Sequence, residues 1–132
     1  MPRFAHADLL DNGPAYLKAN CNKVILIDAY SDVYATINTT AKVGETALVT
    51  GDFAIAGAAN APRILTATLT GKSAGNALKT VANGTNMHFA FVDTVNSKVL
   101  LVTEESTDQS ITSGNPLVIN SNGTYSIPQP TA

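Results

Sequence analysis

The stretch GKSAG at residues 71–75 sets a lysine and a serine behind a glycine, the ending of a phosphate-cradling loop. That loop needs another glycine five positions earlier, and the residue there is Thr66. It also needs a helix to follow, whereas a strand-like stretch does, so a turn is the better reading. The single cysteine, Cys21, would need a histidine base to act as a nucleophile. Only His6 and His88 exist; His6 falls in an N-terminal arm and His88 in a strand-like run. A structural thiol is therefore expected. Two histidines and no Cys/His pair at ligand spacing also argue against zinc. Asp93, Glu104, Glu105 and Asp108 lie near hairpin ends. No loop among them has the alternating oxygen donors of a calcium site, so solvated turn residues are expected. The stretches NTT (38–40) and NGT (83–85 and 122–124) fit the glycan-acceptor pattern but, without an export signal, read as turns. The sequence thus offers no catalytic residue, cofactor site or metal site, and an enzyme is not expected.

The elements that carry these residues are mostly strands. Residues 1–6 read as an arm. Residues 7–20 carry helical spacing, with Leu10 and Leu17 two turns apart and Leu9 and Tyr16 repeating the interval. Pro14 suits a first helical position, with Asn12 or Gly13 as the cap. KVILIDAY (23–30) predicts a strand, and residues 31–50 allow a helical turn capped by Ser31 or a short strand at 33–37. DFAIA (52–56) predicts a strand, GAANAP (57–62) a loop, and RILTATLTG (63–71) a half-buried strand with Leu65, Ala67 and Leu69 on one face. KSAGN reads as a turn, ALKTVA (77–82) as a strand, and Asn83-Gly84 as a turn. Residues 110–127 predict two short strands around Asn122-Gly123, and residues 128–132 an extended tail. Short strands with closely spaced turns indicate one mainly β domain over 1–132, an antiparallel β-sandwich or barrel with one short N-terminal α-helix.

The hairpin HFAFVDTVNSKVLLV (88–102) raises a packing question. Alternation puts Phe89 and Phe91 on one face and Ala90 and Val92 on the other. In the second arm it separates Val99 and Leu101 from Leu100 and Val102. Both faces are apolar. An internal cover is expected for Phe89, Phe91, Val99 and Leu101. The face of Ala90, Val92, Leu100 and Val102 is left to the N-terminal helix or to a neighbouring chain.

Composition bounds the partners. Charged residues are only 14% of the 132, against roughly a quarter in soluble domains, and the net charge is −2. Weak repulsion between copies favours packing against other chains. The basic residues form no run, which argues against nucleic acid, and the longest apolar run, VILI, is too short to cross a membrane. MPRFAHADLL lacks the apolar core of a signal peptide, so use without Sec export, or release by lysis, is expected. Tryptophan is absent, and Phe89 and Phe91 read as core rather than as a sugar-binding platform.

Three segments in order, LLDNGPAYLKANCNKVILIDAY (9–30), HFAFVDTVNSKVLLVTEES (88–106) and SITSGNPLVI (110–119), resemble the small virion proteins of tailed bacteriophages encoded beside the major capsid protein. FAIAGAANAPRILTATLTGKSAG (53–75) matches in type, as a Gly/Ala-rich loop followed by an alternating strand. The chain departs from that family in DAYSD, which lacks a turn proline, and in TYSI, which stands where a tryptophan strand is common. The resemblance implies a non-enzymatic capsid cement or head-decoration protein on the capsid exterior, made in the bacterial host cytoplasm. Its partners would be the major capsid protein and copies of itself. A tail or neck component and a soluble β-sandwich binding module are the alternatives. The residues expected at interfaces are Phe4, Leu9, Leu10, Val92, Leu100, Val102, Tyr125 and Ile127.

Overall fold

The structure is a computed structural model that describes residues 4–5, 13–56, 63–104, 110–119 and 122–127. Ten strands and two short helices occur among them: β1 (Phe4–Ala5), α1 (Pro14–Asn20), β2 (Lys23–Ile27), α2 (Tyr34–Ile37), β3 (Lys42–Ala47), β4 (Phe53–Ala56), β5 (Arg63–Ala67), β6 (Ser73–Asn76), β7 (His88–Asp93), β8 (Lys98–Glu104), β9 (Pro116–Val118) and β10 (Gly123–Ile127). All strand pairs are antiparallel. One sheet runs β1-β8-β7-β2-β3, a second β10-β5-β4, and a third pairs β6 with β9. The mainly β architecture is therefore as the turn spacing predicts. The GAANAP loop, the arm at 1–3 and 6, and the tail at 128–132 lie outside the described residues.

The sheets share one inner core. It joins Val24 and Leu26 of β2, Phe89 and Phe91 of β7, Phe53 of β4, Leu65 of β5, and Leu117 of β9. The rings of Phe53 and Phe91 meet edge to face at 6.4 Å, a favourable aromatic geometry that bridges the two larger sheets. Two glycines mark where the backbones come close. A Cβ on Gly123 would lie 2.5 Å from the Phe91 ring. A Cβ on Gly44 would lie 2.8 Å from Leu117 Cδ1 and 2.9 Å from the Ala74 carbonyl oxygen. Any side chain at either position would force the layers apart.

α1 begins at Pro14 with Gly13 as its cap, where the missing proline N–H costs nothing. Leu17 enters the inner core, and α1 packs against β4. It does not cover the far face of the hairpin. That face belongs to a second, outer core of Ile25, Ile27, Ala90, Val92, Val99 and Val102, closed by Ile37 and Ala41 with Tyr34 at its margin. The cover thus includes the helical turn α2, one of the two structures open for residues 31–50. Ser31 does not cap it; the cap position is Val33, and the Ser31 hydroxyl accepts a bond from the Val33 N–H at 3.1 Å.

Two readings of the middle of the chain need correction. KSAGN is not merely a turn: the chain turns at 70–72, and Ser73–Asn76 is a strand. ALKTVA is not a regular strand but continues the same ribbon, bridging Val81 to Ile111 through bonds of 2.8 and 2.9 Å. Small polar residues carry no local strand signal, so this ribbon exists through its distant partner at 111–119. Around Asn122-Gly123, β9 and β10 do form, but they pair with β6 and β5 rather than with each other.

Candidate interaction surface

The hairpin residues expected at an interface are inside the molecule. Val92, Leu100 and Val102 are each 0% exposed. The alternation also breaks. Phe91 pairs with Leu101, but Val92 pairs with Val99, so Leu100 is an extra residue in β8. This bulge turns Leu100 and Leu101 together into the inner core and moves Val99 to the outer one. Val99 therefore leaves the face predicted for it, and so does Leu100. Phe4 sits in β1, with its backbone opposite Val102. Tyr125 and Ile127 lie in β10, opposite Leu65 and Arg63. Leu9 and Leu10 fall outside the described residues.

The candidate chemical groups hold the fold together. Cys21 is buried, and burial pushes its thiol up to about 12, so it stays protonated and unreactive at neutral pH. Lys72 of the GKSAG stretch reaches Asp52 at 3.0 Å, tying the β5–β6 turn to the 3-10 turn before β4. A strand, not a helix, follows it. Asp93 is buried and closes the hairpin loop: its carboxylate accepts bonds from the Val95 and Asn96 N–H groups at 3.0 and 3.3 Å and from the Asn96 side chain at 2.8 Å. Asn22 latches that loop from outside, donating to Thr94 Oγ1 at 2.8 Å and accepting from the Thr94 N–H at 3.1 Å. Asn122, in the second NGT stretch, accepts bonds from the N–H groups of Leu69 and Thr70 and from the Thr70 hydroxyl. Among the described residues no group of three His, Cys, Asp or Glu could hold a metal. His6, Glu105 and Asp108 lie outside them.

Among the described residues, His88 is a buried titratable group whose surroundings do not suit it. It is 2% exposed, with neither ring nitrogen in a well-formed hydrogen bond. Its ring meets Tyr30 edge to face at 5.8 Å, and Glu104 is its cross-strand partner. Burial pulls its pKa below the ordinary histidine value, against the opposing pull of Glu104 and of the Asn86 backbone.

The exposed surface carries the candidate site. On the outer side of the β10-β5-β4 sheet, two rows cross the strands: Ala54–Thr66–Thr124 and Ala56–Ile64–Ser126. Thr66 is half-buried and the other five are exposed, and none carries a charge. Such a face loses little when it is desolvated against another protein. A groove of about 290 Å³ lies apart from it, lined by residues 110–112 and 115–118 beside β9. Exposed apolar side chains elsewhere are scattered, from Val95 at the hairpin tip to Leu78 and Val118 on the ribbon. Alternation in RILTATLTG identifies Ile64 and Thr66 as outward-facing; the matching rows on β4 and β10 depend on strand pairing that spacing does not reveal. Comparisons with protein-family models, with curated proteins and with solved structures found no match to this chain.

Proposed function

We propose that this chain is a non-enzymatic structural protein of a tailed-bacteriophage virion, a capsid cement or decoration protein that stabilises the icosahedral head by binding its capsid subunits from outside. The observation that carries the reading is the uncharged outer face of the β10-β5-β4 sheet, in a chain whose charged residues make up only 14%. A protein that must lie flat on a protein shell in many copies gains from a rigid, uncharged face, because no charged group has to be desolvated there. The resemblance of residues 9–30, 88–106 and 110–119 to small virion proteins supports the same role. The buried Cys21 and the turn-forming Lys72 support it too, since each has a structural task.

The test is the composition of purified particles. Quantitative mass spectrometry should find this chain at a copy number comparable with the major capsid protein. A handful of copies per particle would move the reading to a tail or neck component, and absence from the particle would reject it. Capsids assembled without the protein and then supplied with it should withstand higher temperature before releasing DNA.

A further inference from the structure

We propose that two copies of this chain join through β10, antiparallel about a two-fold axis at Tyr125, to make one continuous six-stranded sheet. The strand at the edge of a sheet presents unpaired backbone groups to any chain that can add to it, and natural proteins guard such edges. Among the described residues the other edges are guarded. β1 is two residues long. β3 carries Lys42 and Glu45, and its Val43 carbonyl is taken by the Leu78 N–H at 2.8 Å. β4 is only four residues long with α1 packed against it, β6 lies against β3, and β9 starts on Pro116, which has no N–H to give. β10 has none of these devices. Its five residues, GTYSI, include no charge and no proline, and among the described residues it has β5 as its one partner strand.

The occupant follows from the pattern. Turned antiparallel about Tyr125, β10 matches itself: Thr124 falls opposite Ser126 of the partner subunit, and Gly123 opposite Ile127 of the partner subunit. Opposed hydroxyl residues are a favourable cross-strand pair, and no like charges meet. Each uncharged row then continues across the axis, so Ala54–Thr66–Thr124 runs into the partner's Ser126, Ile64 and Ala56. The joined face is twice as wide and still uncharged. A closed isologous pair also removes the edge that would otherwise invite open-ended aggregation. The proposal gives the self-association of the cement reading a surface. It rests on that reading for nothing else, because dimerisation is measured on the free protein and capsid binding on the particle.

The experiment follows the mass of the purified full chain by sedimentation velocity over a dilution series, with two double variants at exposed positions of β10. The wild type should be a dimer that dissociates on dilution. Thr124→Lys with Ser126→Lys places like charges opposite each other across the axis, and should shift the dimer dissociation constant upward by at least about tenfold, a coupling of about 1.4 kcal/mol. Thr124→Lys with Ser126→Glu places opposite charges across the axis and should keep the dimer. A monomeric wild type at every concentration overturns the proposal. So does a two-lysine variant as dimeric as the wild type, or a lysine–glutamate variant as dissociated as the two-lysine one. Should a variant misfold, the wild type decides: amide hydrogen exchange across 123–127 should slow with rising protein concentration, and concentration-independent exchange there counts against the pairing. A dimer that behaves as stated but is absent from phage particles retains this proposal and removes the cement reading.

Discussion

His88 shows how one residue can conflict with its setting and remain there. Its ring fills space beside Tyr30 at the end of an apolar sheet face, but neither ring nitrogen makes a well-formed hydrogen bond. The neutral ring is tolerated; the charged ring is not, because burial strips its water. The folded state therefore binds a proton on His88 less readily than the unfolded chain, whose histidine titrates near 6.5. A depressed folded pKa means stability that is present above pH 6.5 and lost as pH falls through the folded value. Thermal melts between pH 7.5 and 5, a window chosen roughly to lie above the carboxylate range, should show a falling melting temperature in the wild type. The His88→Phe variant should lose most of that slope. Glu104, across the strand, works in the opposite sense, so Glu104→Gln should steepen it. Sequence reveals that His88 lies in a strand, but not what its ring meets, because Tyr30 and Glu104 reach it only through folding.

At the scale of elements, the fold depends on a few polar side chains that fasten strand ends. Asn122 is the clearest case. One side-chain oxygen gathers the Leu69 N–H at 2.9 Å, the Thr70 N–H at 3.1 Å and the Thr70 hydroxyl at 2.9 Å, holding the end of the β5 segment to the start of β10. Asn122→Ala leaves these donors to water or to nothing, and should destabilise the protein by about 1–3 kcal/mol, read from urea denaturation. Asn122→Asp, which keeps the acceptor oxygen, should recover part of the loss. In the sequence this residue is a turn signal beside glycine; in the structure Gly123 opens β10, and the fastening by Asn122 runs to residues more than fifty positions away. β3 escapes sequence reading for a related reason. Its alternation is broken by Gly44, which is small because a Cβ there would run into Leu117 and the Ala74 carbonyl. The strands at 23–27, 53–56, 63–67, 88–93 and 98–104 are legible because each carries β-branched or aromatic residues in a run of its own.

At the scale of the whole molecule, two cores share one sheet. β2 and β7 lie in the middle of that sheet, with the inner core on one side and the outer core on the other. The ribbon of β6 and β9 lies at the periphery, with exposed residues along it. Stability should therefore be graded. Native-state hydrogen exchange should find the amides of Ile25, Leu26, Ala90 and Phe91 exchanging only through global unfolding. Those of 73–76 and 116–118 should exchange through smaller openings, at least about tenfold faster. Equal protection across both regions would mean the ribbon and the main sheet open as one unit. The β class of the chain is legible from turn spacing, and the buried row Leu65, Ala67 and Leu69 from alternation. The covering of the hairpin is not. Its outer cover is a four-residue helical turn in a stretch with no strong pattern, and its inner parity is reset at Leu100.

That reset at Leu100 has a consequence for how the sequence can drift. A strand that is oily on both sides gives the chain no polarity by which to tell its faces apart. What distinguishes them is the count of residues between the Asp93 loop and the bulge. Positions 99–102 should accept exchanges among valine, isoleucine and leucine with modest cost, since volume is nearly conserved. They should reject the loss or gain of a single residue, which would rotate every later side chain of β8 into the wrong core. For this hairpin, length is inherited more strictly than identity.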